Sequence, residues 1–270
     1  MNNALLRVLG WKATVLHGDP LCYDRYLWLK KHLQPGPLST LDAGCGNGCF
    51  SFYAASVGNR VLGLSFDAEQ NGAASERAKL LGLTNAEFRV LDLRDLHTVR
   101  DSLGEFDQII LMETIEHVIN DRKLVADLCH HLKPGGRLYL TTPYKEHKAL
   151  RQEYLSETED GGHVRWGYTL GEVRNIMESC GLEVVAEGYT SGMISQKLTN
   201  LMRVSDYRNE KKAWAASFPL RLFQITLDAP LTRAMSYPPF GVGLVGVKKS
   251  SVEPTVGSAH SERVPVGAGR

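Results

Sequence analysis

The chain has no C-x-x-C pair, and its five cysteines (Cys22, Cys45, Cys49, Cys129, Cys180) are odd in number. That argues against a disulfide framework or a cysteine zinc site and suits a reduced, cytoplasmic protein. Neither sign of charge dominates, with 31 Lys and Arg against 30 Asp and Glu, so no footprint for nucleic acid exists. No apolar run reaches membrane-spanning length, and Met1 to Trp11 lacks the apolar core of a signal peptide. No internal repeat is visible. The 270 residues suffice for one domain of ordinary to large size with an ample core. The tail over 251–270, rich in Ser, Pro, Gly and Val without periodicity, is expected to be disordered.

What the chain does have is glycine at alternate positions: Leu41-Asp42-Ala43-Gly44-Cys45-Gly46-Asn47-Gly48. An apolar lead-in runs into an acid and then the glycines, which permit φ > 0 and close backbone approach to a ligand. A strand entering such a loop and a helix leaving it place free backbone N–H groups at the crevice of a doubly wound sheet. A dinucleotide fingerprint would read G-x-G-x-x-G; here Asp42 precedes the glycines, where it would oppose a pyrophosphate but suit a cationic ammonium.

The periodicity around this loop predicts alternating elements. A helix over 21–33 ends at Gln34-Pro-Gly-Pro and makes residues 1–36 a helical cap over the cleft. There Tyr23 and Arg25 could face a ligand carboxylate. Strands are expected at 38–42, 60–65, 86–91, 106–112, 137–142, 182–189 and 241–247, with helices between them. Strands alternating with helices at this spacing mean a parallel sheet with right-handed crossovers. The domain spans 37–250 and is interrupted at 193–237 by two amphipathic segments, one with Leu198 and Leu201, the other with Leu220, Phe223 and Leu227. These either cap the sheet or form an apolar substrate lid, with Phe223 as its anchor.

Three further stretches carry chemistry. The second strand runs out through Ser65-Phe66-Asp67-Ala68-Glu69-Gln70, the third through Asp92-Leu93, and the fourth through Glu113-Thr-Ile-Glu116-His117-Val118. Asp67 reads as the cap of the next helix. A carboxylate such as Asp92 at a strand's carboxyl end can accept from an adenine amino group.

The set, Asp-x-Gly-x-Gly-x-Gly followed by F-D-x-I-x-x-x-E-x-x-E-H-V and Lys133-Pro-Gly-Gly, resembles the class I S-adenosylmethionine-dependent methyltransferases over about residues 38–190. The resemblance implies a Rossmann-like, seven-stranded, mostly parallel sheet with helices on both faces and a helical insertion before the last strand. It implies S-adenosylmethionine as cofactor, with the methionine end at Asp42, Gly44 and Gly46 and adenine at Asp92 and Leu93. The usual ribose acid is missing; Ser65 and Gln70 resemble the variant of cyclopropane synthases and sterol-type methyltransferases and take that role by likeness. A nicotinamide dehydrogenase would need that acid and none before the glycines.

The expected reaction is methyl transfer to a small or lipid-like acceptor, O-methylation preferred, with His117 or His163 as candidate base. The E-x-x-E-H run is also similar to that of ubiquinone-pathway O-methyltransferases and of small-RNA 2′-O-methyltransferases, some of which use magnesium or manganese. On that likeness Glu113, Glu116, His117 and His163 could hold a divalent metal. An RNA acceptor and a non-catalytic binding subunit are the alternative functions, and the sequence does not decide the oligomeric state.

Overall fold

The computed structural model describes residues 3–150, 154–204 and 210–249, so the tail expected to be disordered lies outside the described residues. Three helices lead: α1 (Asn3–Leu9), α2 (Lys12–His17) and α3 (Pro20–His32). Asp19 caps α3 by accepting from Cys22 N at 2.8 Å, and Pro20 takes the first turn, where a missing N–H costs nothing. Then follow β1 (Ser39–Ala43), α4 (Cys49–Ser56), β2 (Arg60–Ser65), α5 (Ala68–Leu80), β3 (Ala86–Val90), α6 (Arg100–Leu103), β4 (Phe106–Met112), α7 (Asp121–His130) and β5 (Leu132–Pro143). The chain closes with α8 (Leu170–Ser179), β6 (Leu182–Thr190), α9 (Met193–Val204), α10 (Glu210–Ala234) and β7 (Gly241–Lys248).

The seven strands lie in the order β3-β2-β1-β4-β5-β7-β6. Strands β1 to β5 pair in parallel, as the alternation requires, but β7 runs antiparallel to both β5 and β6. The sheet is thus mostly parallel, as expected, and β7 is its antiparallel exception. The α9–α10 hairpin returns the chain to the end where β6 finished, so β7 enters the slot between β5 and β6 from the opposite side. Strand β5 also starts earlier than position 137: Leu132 already pairs with Phe106, and the register slips before Gln108 pairs with Arg137.

Alternate residues of the central strands face opposite cores. Ile109 and Leu111 of β4 pack with Leu138, Leu140, Leu128 and Ile176 under α7 and α8. Ile110 and Met112 pack with Tyr139, Tyr53 and Leu29 under α3 and α4. Both faces of the sheet are thus covered, and each wholly buried Leu or Ile contributes about 1.5–3 kcal/mol. Asp67 caps α5 by accepting from Glu69 N and Gln70 N, as the sequence suggested.

The α9–α10 hairpin departs from this pattern. From residue 219 onward, α10 buries Arg221, Gln224 and Asp228 and leaves Leu220, Leu222, Phe223, Ile225 and Leu227 exposed. The Asp228 carboxylate accepts from Gly192 N (3.0 Å), Ile194 N (2.7 Å) and Ser195 Oγ (2.5 Å), capping α9 from a neighbouring helix. Gln224 donates to the carbonyl of Pro20 and to Asp24 Oδ1, both at 2.7 Å, and Arg221 donates to the Leu16 carbonyl at 2.8 Å. The apolar stripe read from the sequence is real, but it is turned away from the protein body.

Candidate active site

The carboxyl ends of β1, β2 and β4 and the turn after β3 meet around a cavity of about 280 Å³. Gly44, Gly46, Ser65, Gln70, Asp92 and Leu93 all line it. Gly44, Gly46 and Gly48 have φ of +83°, +49° and +85°, so the alternate-glycine pattern reflects three successive left-handed positions that L side chains rarely adopt. A Cβ on Gly44 would stand 2.4 Å from Thr114 Oγ1, whereas one on Gly46 would meet only the Gln70 Oε1 at 3.1 Å. The loop is therefore open toward the cavity at Gly46 and closed behind at Gly44.

Asp42, expected at the ligand's ammonium, does not line this cavity. It is 1% exposed, and its Oδ2 accepts from Ser51 Oγ at 2.5 Å across the start of α4. Burial pushes its carboxyl up to about 6, against the opposing effect of the Ser51 bonds. Asp42 is the penultimate residue of β1, whose last four residues are all buried, so it still belongs to the sheet interior.

Asp92 does reach the cavity, but not as a free acceptor. Arg94 grips it bidentately, with Nε at 2.9 Å from Oδ1, and extends NH1 to Glu159 Oε2 at 3.0 Å. The Arg94 contact holds the Asp92 carboxyl below its usual range. A carboxylate has about four lone-pair sites, so capacity for one further donor remains. Glu159 also accepts from Ile119 N at 2.6 Å, which fastens the 154–163 segment across the mouth of the cavity. Sequence reading missed Arg94, Glu159, Phe66 and Thr114 as cavity residues. The polar run before Gly162 was the available signal, but nothing in it states where it closes.

A second cavity, about 390 Å³, adjoins the first and shares Glu113, His117 and Gly161 with it. Its other lining includes Leu21, Arg25, Glu116, Tyr154, His163 and Arg203. Arg25 thus belongs to this cavity and not to the first, and Tyr23 lines neither. Arg25 NH2 pairs with Glu113 Oε2 at 2.7 Å, while Thr141 Oγ1 donates to Glu113 Oε1 at 2.9 Å. Glu113 has φ +47°, a conformation costing a non-glycine residue on the order of 1–3 kcal/mol, and the ion pair holds it there.

His117 stands where the cavities join. Its Nδ1 lies 3.0 Å from the Gly162 carbonyl, which can only accept, so Nδ1 carries the proton and the neutral ring's lone pair sits on Nε2. The His163 ring meets it edge-on at 4.7 Å. Glu116 is wholly buried; Thr142 donates to its Oε2 at 3.1 Å, and its Oε1 has no hydrogen-bond partner. Burial first, and then the nearby Glu113 charge, push the Glu116 carboxyl well above the usual range. Ligand atoms of Glu116, His117 and His163 lie within 4.8 Å of one another, the one such group found among the described residues. Glu113, expected as a fourth member, is taken up by Arg25 and Thr141 instead.

The family model for the methyltransferase domain matches residues 23–187, more than half of the chain. The chain belongs to the class I S-adenosylmethionine-dependent methyltransferases. It is 27% identical over 188 residues to a ubiquinone biosynthesis O-methyltransferase of Xanthomonas axonopodis, covering 67% of this chain and 76% of that one. The human mitochondrial ubiquinone biosynthesis O-methyltransferase is 27% identical over 179 residues, but the match spans only 48% of it and 61% of this chain. Among solved structures, coclaurine N-methyltransferase bound to N-methylheliamine and SAH superposes with TM-score 0.56 at 18% identity, covering 83% of this chain and 71% of that one. The cyclase SpnF superposes with TM-score 0.57 at 18% identity, covering 85% and 82%. At that identity both likenesses speak to fold alone, and a cyclase on the same fold shows that chemistry must be argued from the site.

The cofactor is S-adenosylmethionine. The first cavity fits it on this structure's own terms: a Gly46 cradle that a larger side chain would fill, hydroxyl and amide groups at Ser65 and Gln70, and a carboxylate at Asp92.

Proposed function

We propose that the chain methylates a hydroxyl oxygen, phenolic by preference, on a small and partly apolar acceptor seated in the second cavity. The observation that carries this reading is the position of His117, which lines both cavities and, with Nδ1 on the Gly162 carbonyl, keeps Nε2 for a proton, with Glu116 Oε1 3.9 Å away. The names of the matched relatives, O-methyltransferases, support oxygen as the acceptor atom.

In this reading Gly44, Gly46, Ser65, Gln70, Asp92 and Leu93 hold the cofactor, and Asp42 shapes the loop from behind. Bound S-adenosylmethionine supplies an activated methyl group, so the protein needs to orient the acceptor and exclude water. A hydroxyl keeps its proton at neutral pH, and His117 Nε2 accepts that proton as the oxygen attacks. The Gly162 carbonyl fixes the tautomer, His163 limits the ring's rotation, and Leu21 and Phe240 offer apolar contact to the acceptor body.

One observation favours a second reading, in which a divalent cation sits among Glu116, His117 and His163. The orphaned Oε1 of Glu116, buried without a donor, would gain a partner there. Such a cation would lower the pKa of the acceptor hydroxyl and take over the task of the base. Two imidazoles and one carboxylate fit a borderline transition ion better than magnesium.

Transfer of labelled methyl from S-adenosylmethionine to a panel of catechols, phenols and amines, run with and without chelator, tests both. We expect O-methyl products from the phenols, identified by mass spectrometry, with turnover unchanged in chelator. Products methylated only on nitrogen or carbon would overturn the oxygen assignment. Loss of turnover in chelator, restored by a divalent ion, would replace the base by the metal.

A further inference from the structure

The hairpin of α9 and α10 holds an unusual division of faces. Its inner face is polar and hydrogen-bonded, through Arg221, Gln224 and Asp228. Its outer face carries Leu222 at 66% exposure, Ile225 at 54% and Phe223 at 52%, with Leu220, Leu227 and Leu231 on the flanks. Residues 219–234 extend about 24 Å along the helix, and these side chains spread over the half of it that faces away from the protein body. Soluble proteins rarely expose such a contiguous patch unless something covers it.

Charge indicates what covers it. Among the described side chains of α9 and α10, Lys197 and Arg233 are the exposed charged ones, while Arg221 and Asp228 turn inward and Arg203 lines the second cavity. The whole chain carries a formal charge of only +1, yet the exposed charge described on these two helices is all basic. Asp228 is buried as the cap of α9, while Lys197 and Arg233 are exposed. At the far end of the hairpin, Lys148 and Lys197 place their Nζ 4.3 Å and 5.7 Å from the centre of the Tyr237 ring, an aromatic with basic neighbours.

We infer that the outer face of α10 docks on an anionic lipid surface, with Leu222, Phe223 and Ile225 entering the boundary between headgroups and acyl chains. A helix with an apolar stripe and a basic border has this mode of binding, where buried area and attraction to anionic headgroups add. A second copy of the chain suits the face less well. A two-fold interface would set each basic border near its own image, and like charges repel. No helix among the described residues is long and apolar enough to cross a membrane, so the contact is peripheral.

Docking would also serve the site. Arg203 of α9 and Phe240, just beyond α10, line the second cavity, so its rim lies beside the docked hairpin. A partly apolar acceptor could then pass from the lipid boundary to His117 without crossing bulk water. This last consequence rests on the proposed acceptor; the docking itself does not.

The test is co-sedimentation of the full chain with vesicles of neutral phosphatidylcholine alone or with about one-third phosphatidylglycerol, at low and high salt. Binding should appear with the anionic vesicles and fall as salt rises. The double variant Leu222→Ser, Phe223→Ser should lower the partition coefficient at least about tenfold without altering the melting temperature, because both side chains are exposed. Lys197→Glu with Arg233→Glu should lower binding to anionic vesicles and leave any binding to neutral ones unchanged. Equal partition of the wild type between the two vesicle types, or none to either, would overturn the inference. So would a concentration-dependent dimer in sedimentation velocity that the Leu222, Phe223 variant dissolves, since the occupant would then be a second copy. Vesicle binding needs no turnover, so failure here and failure of the proposed methylation are read separately.

Discussion

The two cavities that meet at His117 are assembled in different ways. The cofactor cavity draws mainly on short turns that each follow their own strand: the glycines after β1, Ser65 to Gln70 after β2, and Asp92 to Arg94 after β3. The second cavity takes Arg25 from α3, His117 from the turn after β4, His163 from the long loop after β5, and Arg203 from α9. The first is a property of a parallel sheet, whose strand ends bring such turns together at one edge. The second exists only when four distant segments pack against one another. A cavity built at strand ends can be kept while one built from distant segments is refashioned.

The largest expected effect separates the two halves at their boundary. His117→Ala should lower kcat by about 10²–10⁴ under the base reading, while S-adenosylhomocysteine affinity measured by calorimetry changes far less. If the variant loses cofactor affinity as strongly as rate, His117 belongs to the cofactor half alone.

Gly46→Val tests the opposite side. The Cβ position is open toward the cavity, so the added side chain should occupy the ligand's space and weaken cofactor binding by at least about 100-fold. The φ of +49° adds strain of about 1–2 kcal/mol, so the melting temperature should fall modestly. Gly44→Val should behave otherwise, losing the fold itself through the clash with Thr114. A folded Gly46→Val protein with unchanged affinity would remove the loop from the site.

Asp42 offers a test by pH. Its folded-state carboxyl titrates near 6, above the usual 3.8. The native state therefore binds the proton more tightly than the unfolded chain, and the stability this contributes is lost as pH rises from about 4 to 6. Asp42→Asn lacks that loss. Its stability relative to wild type, from urea denaturation at several pH values, should improve by up to about 3 kcal/mol across the window and stay level above it. A difference that is flat with pH would show that Asp42 is not held protonated by burial.

The smallest effect is the most telling for the hairpin. Phe223→Ala should change stability by no more than about 0.5 kcal/mol, because the ring is half exposed, whereas a buried Phe would cost about 3–5. It should also leave KM for a water-soluble acceptor unchanged, since Phe223 lines neither cavity. A large drop in melting temperature would return α10 to the role of a cap, and a raised KM would restore it as a lid.

Helix α8 makes the same point from the other side. Its apolar positions Val173, Ile176 and Met177 recur at helical spacing and are buried, with Thr169 and Glu172 forming a capping box at its start. The spacing of Leu220, Phe223 and Leu227 is just as regular, yet that face looks outward. Periodicity reveals that a face exists, but not which of two faces the body will take. Here Asp228, Gln224 and Arg221 find backbone partners on α9, α3 and α2, and those hydrogen bonds settle the orientation.

By itself the sequence determined the order of strands and helices, the glycine loop, the cap at Asp67 and the cofactor, because each depends on residues within a few positions of one another. Local backbone preference and short periodicity suffice for the elements, the loop and the cap, while the cofactor followed from the likeness of its motifs to the methyltransferases. Only the tertiary structure decided that β7 runs antiparallel, that Asp42 lies behind the loop rather than in the cavity, and that Arg94 spans Asp92 and Glu159. It likewise drew Glu113 away to Arg25 and left Glu116, His117 and His163 together. The physical reason is common to all of them. A buried charge must find its partner wherever the packed chain brings one, and in this molecule those partners come from segments far apart in sequence.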